Sequence, residues 1–204
     1  MSMFIKHLTL MAIALVIGLT GAVLGVKKEA AAAGIDPYLG KMDSATTVYF
    51  ISDWFCPGCR KIEPAIEKMY PEIAKMAKIG FVDFPIHPET SNFTPYNLQF
   101  LVHEKDKYIQ LRKALTELSL KTKSPTNEDV QAVIAPLGVK LRQLNFMDAI
   151  TGMKLNESIY RGFAVTATPT IVVTNAKTKK TKKLVGDNQI KRQTVLDAIA
   201  AVGK

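Results

Sequence analysis

Hydrophobic and polar positions follow two different periods in the first half of the chain. Residues 46–52, TTVYFIS, are β-branched and aromatic, which predicts a buried strand. From residue 56 to 77, apolar side chains recur at spacings of three and four, which predicts a helix that Pro64 should kink. Residues 79–86, IGFVDFPI, predict a second strand. Strand, helix and strand with short joints predict a βαβ unit whose two strands are parallel.

The pattern changes near residue 95 and becomes helical up to about residue 163. One helix is predicted at 96–118, and a second is predicted to start at a Thr126 cap and to stop at Gly138. Two more short helices are predicted between residues 140 and 164. We interpret residues 95–163 as a helical insertion.

The last part of the chain returns to strand patterns. TPTIVVTN predicts a strand that starts at Thr170, and residues 182–186 predict its hairpin partner. Residues 188–203 predict a closing amphipathic helix. The order βαβ, helical insertion, ββα predicts an α/β fold over residues 46–204, with a mixed sheet flanked by helices.

The N-terminus is typical of a targeting segment. Lys6 precedes an uncharged run from Leu8 to Val26, and lysines follow the run. We interpret residues 1–26 as a signal peptide or a membrane anchor, because the run is near the length that spans a bilayer. Residues 27–45 are interpreted as a linker. Export would place the protein in the periplasm or another extracytoplasmic compartment, secreted or anchored by residues 8–26.

The net charge of +9 comes from 27 basic and 18 acidic residues that are mostly scattered. No groove pattern of aromatic and basic residues occurs, so no nucleic-acid partner is predicted. Residues 27–45 are too short for a dimerisation domain, and we expect a monomer.

The only two cysteines, Cys56 and Cys59, lie between a predicted strand and a predicted helix. No second CxxC or histidine pair accompanies them, so no metal site is predicted, and Arg60 stands where haem attachment needs histidine. A bridge that closes so short a loop stabilises little. A redox pair fits better, with Cys56 as nucleophile at the positive end of the helix, Arg60 adding positive charge, and Cys59 as the resolving thiol. Such chemistry requires no cofactor.

Three sequence features resemble the thioredoxin-like thiol–disulfide oxidoreductases. They are WFCPGCR after a strand, Pro64 eight residues beyond Cys56, and ATPT leading into the strand at Thr170. In that family the proline of the last motif is cis and faces the dithiol, and the preceding residue pairs its backbone with the substrate. The resemblance therefore implies that Thr168 and Pro169 bind substrate, with Trp54 supplying apolar surface.

The helical insertion narrows the resemblance to the DsbA-like branch of exported oxidoreductases. This resemblance implies that the substrates are cysteine-containing proteins and that a membrane redox partner exists. Pro57 and Gly58 separate the cysteines here, whereas strongly oxidising members have histidine in the second place. The family often has a buried carboxylate where this chain has Phe50, six residues before Cys56.

Without that carboxylate, another group must take the proton of Cys59. The acids Asp53, Glu63 and Asp83 are candidates, although each could be purely structural. The function predicted is an exported thiol–disulfide oxidoreductase, with disulfide formation in envelope proteins as the leading direction. Two alternatives stay open: a reductase fed by a membrane electron donor, and a non-catalytic, anchored thioredoxin-fold binding module.

Overall fold

The computed structural model describes residues 35–204, which fold around a five-stranded mixed sheet. The strands are β1 Tyr38–Gly40, β2 Thr46–Ser52, β3 Lys78–Asp83, β4 Thr170–Asn175 and β5 Thr181–Val185. Their order in the sheet is β1-β3-β2-β4-β5. The β2 and β3 strands are parallel, and the other neighbouring pairs are antiparallel. The predicted α/β class, with its parallel βαβ unit and C-terminal hairpin, is therefore confirmed.

Six α-helices surround this sheet in the described part of the chain. They are α1 Pro57–Ile73, α2 Thr94–His103, α3 Tyr108–Ser119, α4 Asn127–Ile134, α5 Phe146–Gly162 and α6 Arg192–Gly203. Helices α2 to α5 lie between β3 and β4 in sequence, so the predicted helical insertion is present. The predicted cap of α4 is present too, because Thr126 and Asp129 form a capping box.

Two helix boundaries in the insertion differ from the sequence prediction. The helix predicted at 96–118 is two helices, because the backbone leaves the helical region at Glu104 and a short 3₁₀ turn, Lys105–Lys107, follows. The two short helices predicted near the end of the insertion are one helix, α5. Gly152 lies inside α5, where a Cβ would come within 2.6 Å of a Leu98 methyl group. The glycine thus marks close packing on α2, not the end of a helix.

The described part of the predicted linker contains a strand. Leu39 of β1 is 3% exposed, and β1 pairs with the outer edge of β3. A strand of three residues, one of which is Gly40, is too short for a recognisable alternation of polar and apolar positions. The targeting segment predicted at residues 1–26 lies outside the described residues. Within the described residues, none of the helices combines the length and the apolar character needed to cross a bilayer.

The two loops that carry the sequence motifs meet at one end of the sheet. β2 ends at Ser52 and leads into the CxxC loop, while the antiparallel β4 begins at Thr170, directly beside Ile51. Because β4 runs against β2, the TP motif before β4 comes to the same edge as the loop after β2. This arrangement brings together segments that are more than 100 residues apart in sequence.

Candidate functional site

Cys56 and Cys59 occupy the N-terminal turn of α1. Cys56 is the N-cap residue and has an extended backbone, and Pro57 is the first helical residue, where its fixed φ favours helix initiation. No side chain caps this helix start, so the N–H groups of its first turn are not used by a capping side chain. The Cys56 side chain is partly exposed, whereas Cys59 is only 2% exposed. Both sulfurs are free thiols in this structure.

The loop that precedes β4 lies directly against the first cysteine. The Thr168–Pro169 peptide bond is cis, and the Cys56 thiol donates to the Thr168 carbonyl oxygen at 3.4 Å. A Cβ on Gly58 would lie 3.1 Å from Pro169 Cδ and 3.8 Å from Cys56 Sγ. The absence of a side chain at Gly58 therefore permits the close approach of the two loops. Four of the residues predicted for the site are thus in contact.

Burial controls the chemistry of Cys59. Desolvation raises the pKa of this thiol to about 12, and a backbone hydrogen bond from Asp53, whose N–H lies 3.4 Å from Sγ, opposes the effect only in part. The protonated thiol is therefore the stable form at neutral pH. Any reaction that uses Cys59 as a thiolate needs a group that removes its proton.

Asp53 holds the loop between β2 and α1. Its carboxylate accepts hydrogen bonds from the backbone N–H groups of Phe55, Cys56 and His87 at 2.8, 3.1 and 2.7 Å. The ring of His87 lies 3.0 Å from the same carboxylate. His87 was not among the predicted site residues. The available sequence signal is Asp53 itself, since aspartate is typical of turns in which its carboxylate accepts from the backbone N–H two residues on, as it does here from Phe55.

Arg60 and Trp54 connect the site to the helical insertion. The Arg60 guanidinium donates to the Trp54 carbonyl oxygen at 2.8 Å and to the Ser119 carbonyl oxygen at 3.0 Å. The Trp54 side chain is 4% exposed and stacks on Phe93, so it packs in the core and does not provide the surface expected for substrates. The partly exposed Phe55, whose ring lies 5.2 Å from the Arg60 guanidinium carbon, is the aromatic side chain nearer the surface.

The other two candidate acids lie in different surroundings. Glu63 forms a bidentate ion pair with the buried Arg112, with N–O distances of 2.9 and 2.6 Å. Asp83 is fully buried and accepts a hydrogen bond from Asn97 at 3.1 Å. Desolvation raises the pKa of Asp83 to about 6, although Arg112 lowers it in part. Among the described residues, no group of three histidine, cysteine or acidic side chains is placed to hold a metal ion.

Comparison with solved structures identifies the fold. A periplasmic thioredoxin-like protein from Salmonella enterica serovar Typhimurium matches over 81% of this chain and 90% of its own length, with a TM-score of 0.61 and 15% identity. Oxidised BdbD from Bacillus subtilis matches over 82% and 95%, with a TM-score of 0.60 and 20% identity. DsbA2 from Pseudomonas aeruginosa matches over 82% and 94%, with a TM-score of 0.57 and 16% identity.

The chain has a thioredoxin-like fold. No protein-family model and no curated protein matches the sequence. In this thioredoxin-like fold, Phe50 stacks on Phe81 with a centroid distance of 5.0 Å, so the position where the resembled family often has a carboxylate is part of the apolar core. Position 50 therefore offers no carboxylate near Cys59.

Proposed function

We propose that this chain is an exported thiol–disulfide oxidoreductase that exchanges disulfides with cysteine-containing proteins. The observation that supports it most is the pairing of a partly exposed Cys56 at a helix N-terminus with a buried Cys59 one turn further on. The helix start favours negative charge at the first sulfur, as a nucleophile or leaving group requires. The second sulfur, one turn further along the helix, would attack a disulfide formed at the first.

The proposed reaction is an exchange of one disulfide for another. A substrate thiolate attacks the Cys56 sulfur of the oxidised protein, and the Cys56–Cys59 bond breaks. Its electron pair leaves on Cys59, which takes up a proton, and a mixed disulfide remains between Cys56 and the substrate. A second substrate thiolate attacks the substrate sulfur of this bond and releases Cys56 as a thiolate. The substrate loses two electrons and gains a disulfide, and the protein becomes a dithiol.

The cis-proline loop is the proposed substrate-binding element. Thr168 is half-buried beside Cys56, and its carbonyl oxygen already accepts a hydrogen bond from the thiol. An extended substrate segment could pair its backbone with this loop, which would align a substrate sulfur with Cys56. Gly58 supports the arrangement, since a side chain there would press on Pro169.

Disulfide formation in envelope proteins is the direction that we propose. The predicted targeting segment at residues 1–26 and the periplasmic origin of one structural neighbour support an extracytoplasmic location. Reoxidation of the dithiol would be carried out by a membrane redox partner, as in the family that the sequence resembles.

The proposal can be tested by refolding reduced, denatured ribonuclease A with the oxidised full-length protein. The wild-type protein should restore ribonuclease activity, and Cys56→Ser should abolish the effect because the attacked sulfur is lost. Insulin reduction in the presence of dithiothreitol measures the opposite direction. Activity only with insulin would favour the reductase, and no activity in either assay would refute disulfide exchange.

A further inference from the structure

We propose that Glu63 moves the proton of Cys59 to and from solvent through one water molecule held between the two side chains. This inference rests on the proposed disulfide exchange, in which Cys59 has to release and recover a proton. Cys59 and Glu63 are four residues apart on α1, so both side chains project from the same face of the helix. Glu63 would thereby accept and return the Cys59 proton, which the apolar side chain of Phe50 cannot do.

A small cavity connects the two groups. Its volume is about 10 Å³, which is the lower limit for one water molecule. Cys59 and Glu63 both line it, together with Ser52, Arg112 and Thr116. A buried water needs two to four polar partners, and the full lining, which also includes Asp53 and Arg60, provides two carboxylates, two guanidinium groups and two hydroxyl groups in addition to the thiol.

Glu63 also gives the cavity a route to solvent. A larger surface pocket of about 240 Å³ adjoins it, and Arg60, Glu63, Arg112 and Thr116 line both spaces. The Glu63 side chain is 18% exposed, whereas that of its partner Arg112 is 3% exposed. The Glu63 carboxylate therefore lies between the small cavity lined by Cys59 and the surface pocket that opens to solvent. A proton accepted from the inner side can leave on the outer side.

The other two acids are less suited to this task. Asp53 lines the same cavity, but its carboxylate is wholly buried and accepts hydrogen bonds from three backbone N–H groups. It is thus committed to holding the loop. Asp83 does not line the cavity and accepts from Asn97 instead. Of the three candidates, only Glu63 contacts both the cavity and the outer pocket.

The proton balance follows from the exchange reaction. When the disulfide is attacked at Cys56, Cys59 leaves as a thiolate, takes a proton from the water, and Glu63 or solvent replaces that proton. In the reverse step the Cys59 thiol gives its proton to the water and Glu63, and the thiolate then displaces the substrate from Cys56. The charged or titratable groups around Cys59 in this account are Asp53, Cys56, Arg60, Glu63 and Arg112.

The test uses the full-length reduced protein and 5,5′-dithiobis(2-nitrobenzoate) in a stopped-flow spectrometer. The first thionitrobenzoate released reports attack by Cys56, and the second reports attack by Cys59 on the mixed disulfide. Glu63→Gln should slow the second release at pH 7 at least about ten-fold and leave the first within about two-fold, because general-base assistance acts only on Cys59. Its second release should also depend more steeply on pH than that of the wild-type protein.

Three further variants make the test specific. Glu63→Asp keeps a carboxylate and should recover part of the rate. Glu67→Gln is the matched control, since Glu67 lines only the outer pocket and should react like the wild-type protein. Thr116→Ile replaces a hydroxyl on the cavity wall with a bulkier ethyl group and leaves both Glu63 and Arg112 in place, so it should exclude the water and slow the second release even if Glu63→Gln does not fold.

The outcomes separate the two proposals. An unchanged second release in Thr116→Ile, or in a folded Glu63→Gln, would overturn the role of Glu63 while leaving disulfide exchange intact. Absence of both releases from the wild-type protein would instead overturn the proposed function, and the proton route with it.

Discussion

At the scale of single residues, Gly58 and Phe50 distinguish this site from the family that it resembles. Gly58 has no side chain beside Cys56, where strongly oxidising members have a histidine. Phe50 fills with an aromatic ring the place where a carboxylate often lies. One difference removes a hydrogen-bond donor that stabilises a thiolate, and the other removes a buried acid. Both differences change the stability of the reduced cysteine pair and therefore its redox potential.

Gly58→His should make the pair more oxidising. The Cβ of the new side chain would lie 3.8 Å from Cys56 Sγ, so the N–H group of the attached imidazole can reach and stabilise the thiolate and thus the reduced form. We expect the reduction potential, measured in glutathione buffers, to become less negative by about 30 mV, equivalent to about 1.4 kcal/mol. Gly58→Ala controls for crowding against Pro169. An equal or more negative potential in Gly58→His than in Gly58→Ala would contradict this reasoning.

Asp83 should make the stability of the protein depend on pH between about 4 and 7. Burial raises its pKa from 3.8 to about 6, so the folded protein binds this proton more tightly than the unfolded chain. The stabilising contribution is complete below the unfolded value and is lost as the pH rises through about 6. Relative to Asp83→Asn, the wild-type protein should lose about 2 kcal/mol of unfolding free energy over this range.

Urea unfolding of the wild-type protein and Asp83→Asn at pH 4, 5, 6 and 7 measures this effect. A difference between the two proteins that stays constant with pH would show that the carboxyl group does not titrate as described.

At the scale of elements, α3 of the insertion is tied to the active-site helix through Arg112. This side chain is buried, pairs with Glu63 of α1, and donates to Ser52 Oγ of β2 at 2.9 Å. Its guanidinium also lies over the Trp54 and Phe81 rings, 4.9 and 5.0 Å from their centroids. The insertion is therefore part of the wall around Cys59 and not a separate lobe.

Arg112→Met should destabilise the protein by about 3 kcal/mol, because Glu63 would lose the partner that offsets its partial burial. Urea unfolding at pH 7 measures the change. Lys113→Met, on the exposed side of the same helix, is the control and should alter the unfolding free energy by no more than about 0.5 kcal/mol. Equal effects of the two substitutions would contradict the role given to Arg112.

The sequence predicted those elements whose side chains carry a long, regular pattern. β2 is apolar throughout because it lies inside the sheet and is buried on both faces, and α1 has a helical stripe because it packs one face on the core. The CxxC and TP motifs mark where the loops of the site lie. Contacts between distant segments leave no such signal. Neither the ion pair of Glu63 with Arg112 nor the contact of His87 with Asp53 could be predicted, because each depends on how helices and loops pack.

At the scale of the whole molecule, the domain begins earlier than the hydrophobic pattern predicts. β1 pairs with the outer edge of β3, and the side chain of Leu39, the middle residue of β1, is buried in the core. A chain that starts at Thr46, the predicted boundary, would expose this edge and lose the burial of Leu39.

A protein comprising residues 46–204 should therefore be less stable than one comprising residues 35–204 by at least about 2 kcal/mol, most of it from the apolar side chain. Urea unfolding of the two proteins at one pH measures the difference. Equal midpoints and slopes would mean that β1 contributes nothing and that residues 35–45 act only as a linker.

Disulfide exchange by this protein depends on Cys56 as the sulfur that reacts with substrates. The most direct measurement is to incubate reduced Cys59→Ser, which keeps Cys56 but lacks the resolving thiol, with a disulfide-containing protein such as insulin. A mixed disulfide should accumulate, and peptide mass spectrometry should locate it at Cys56. The reciprocal variant Cys56→Ser should form almost none, because Cys59 is buried and protonated. No mixed disulfide, or equal amounts with both variants, would contradict the account.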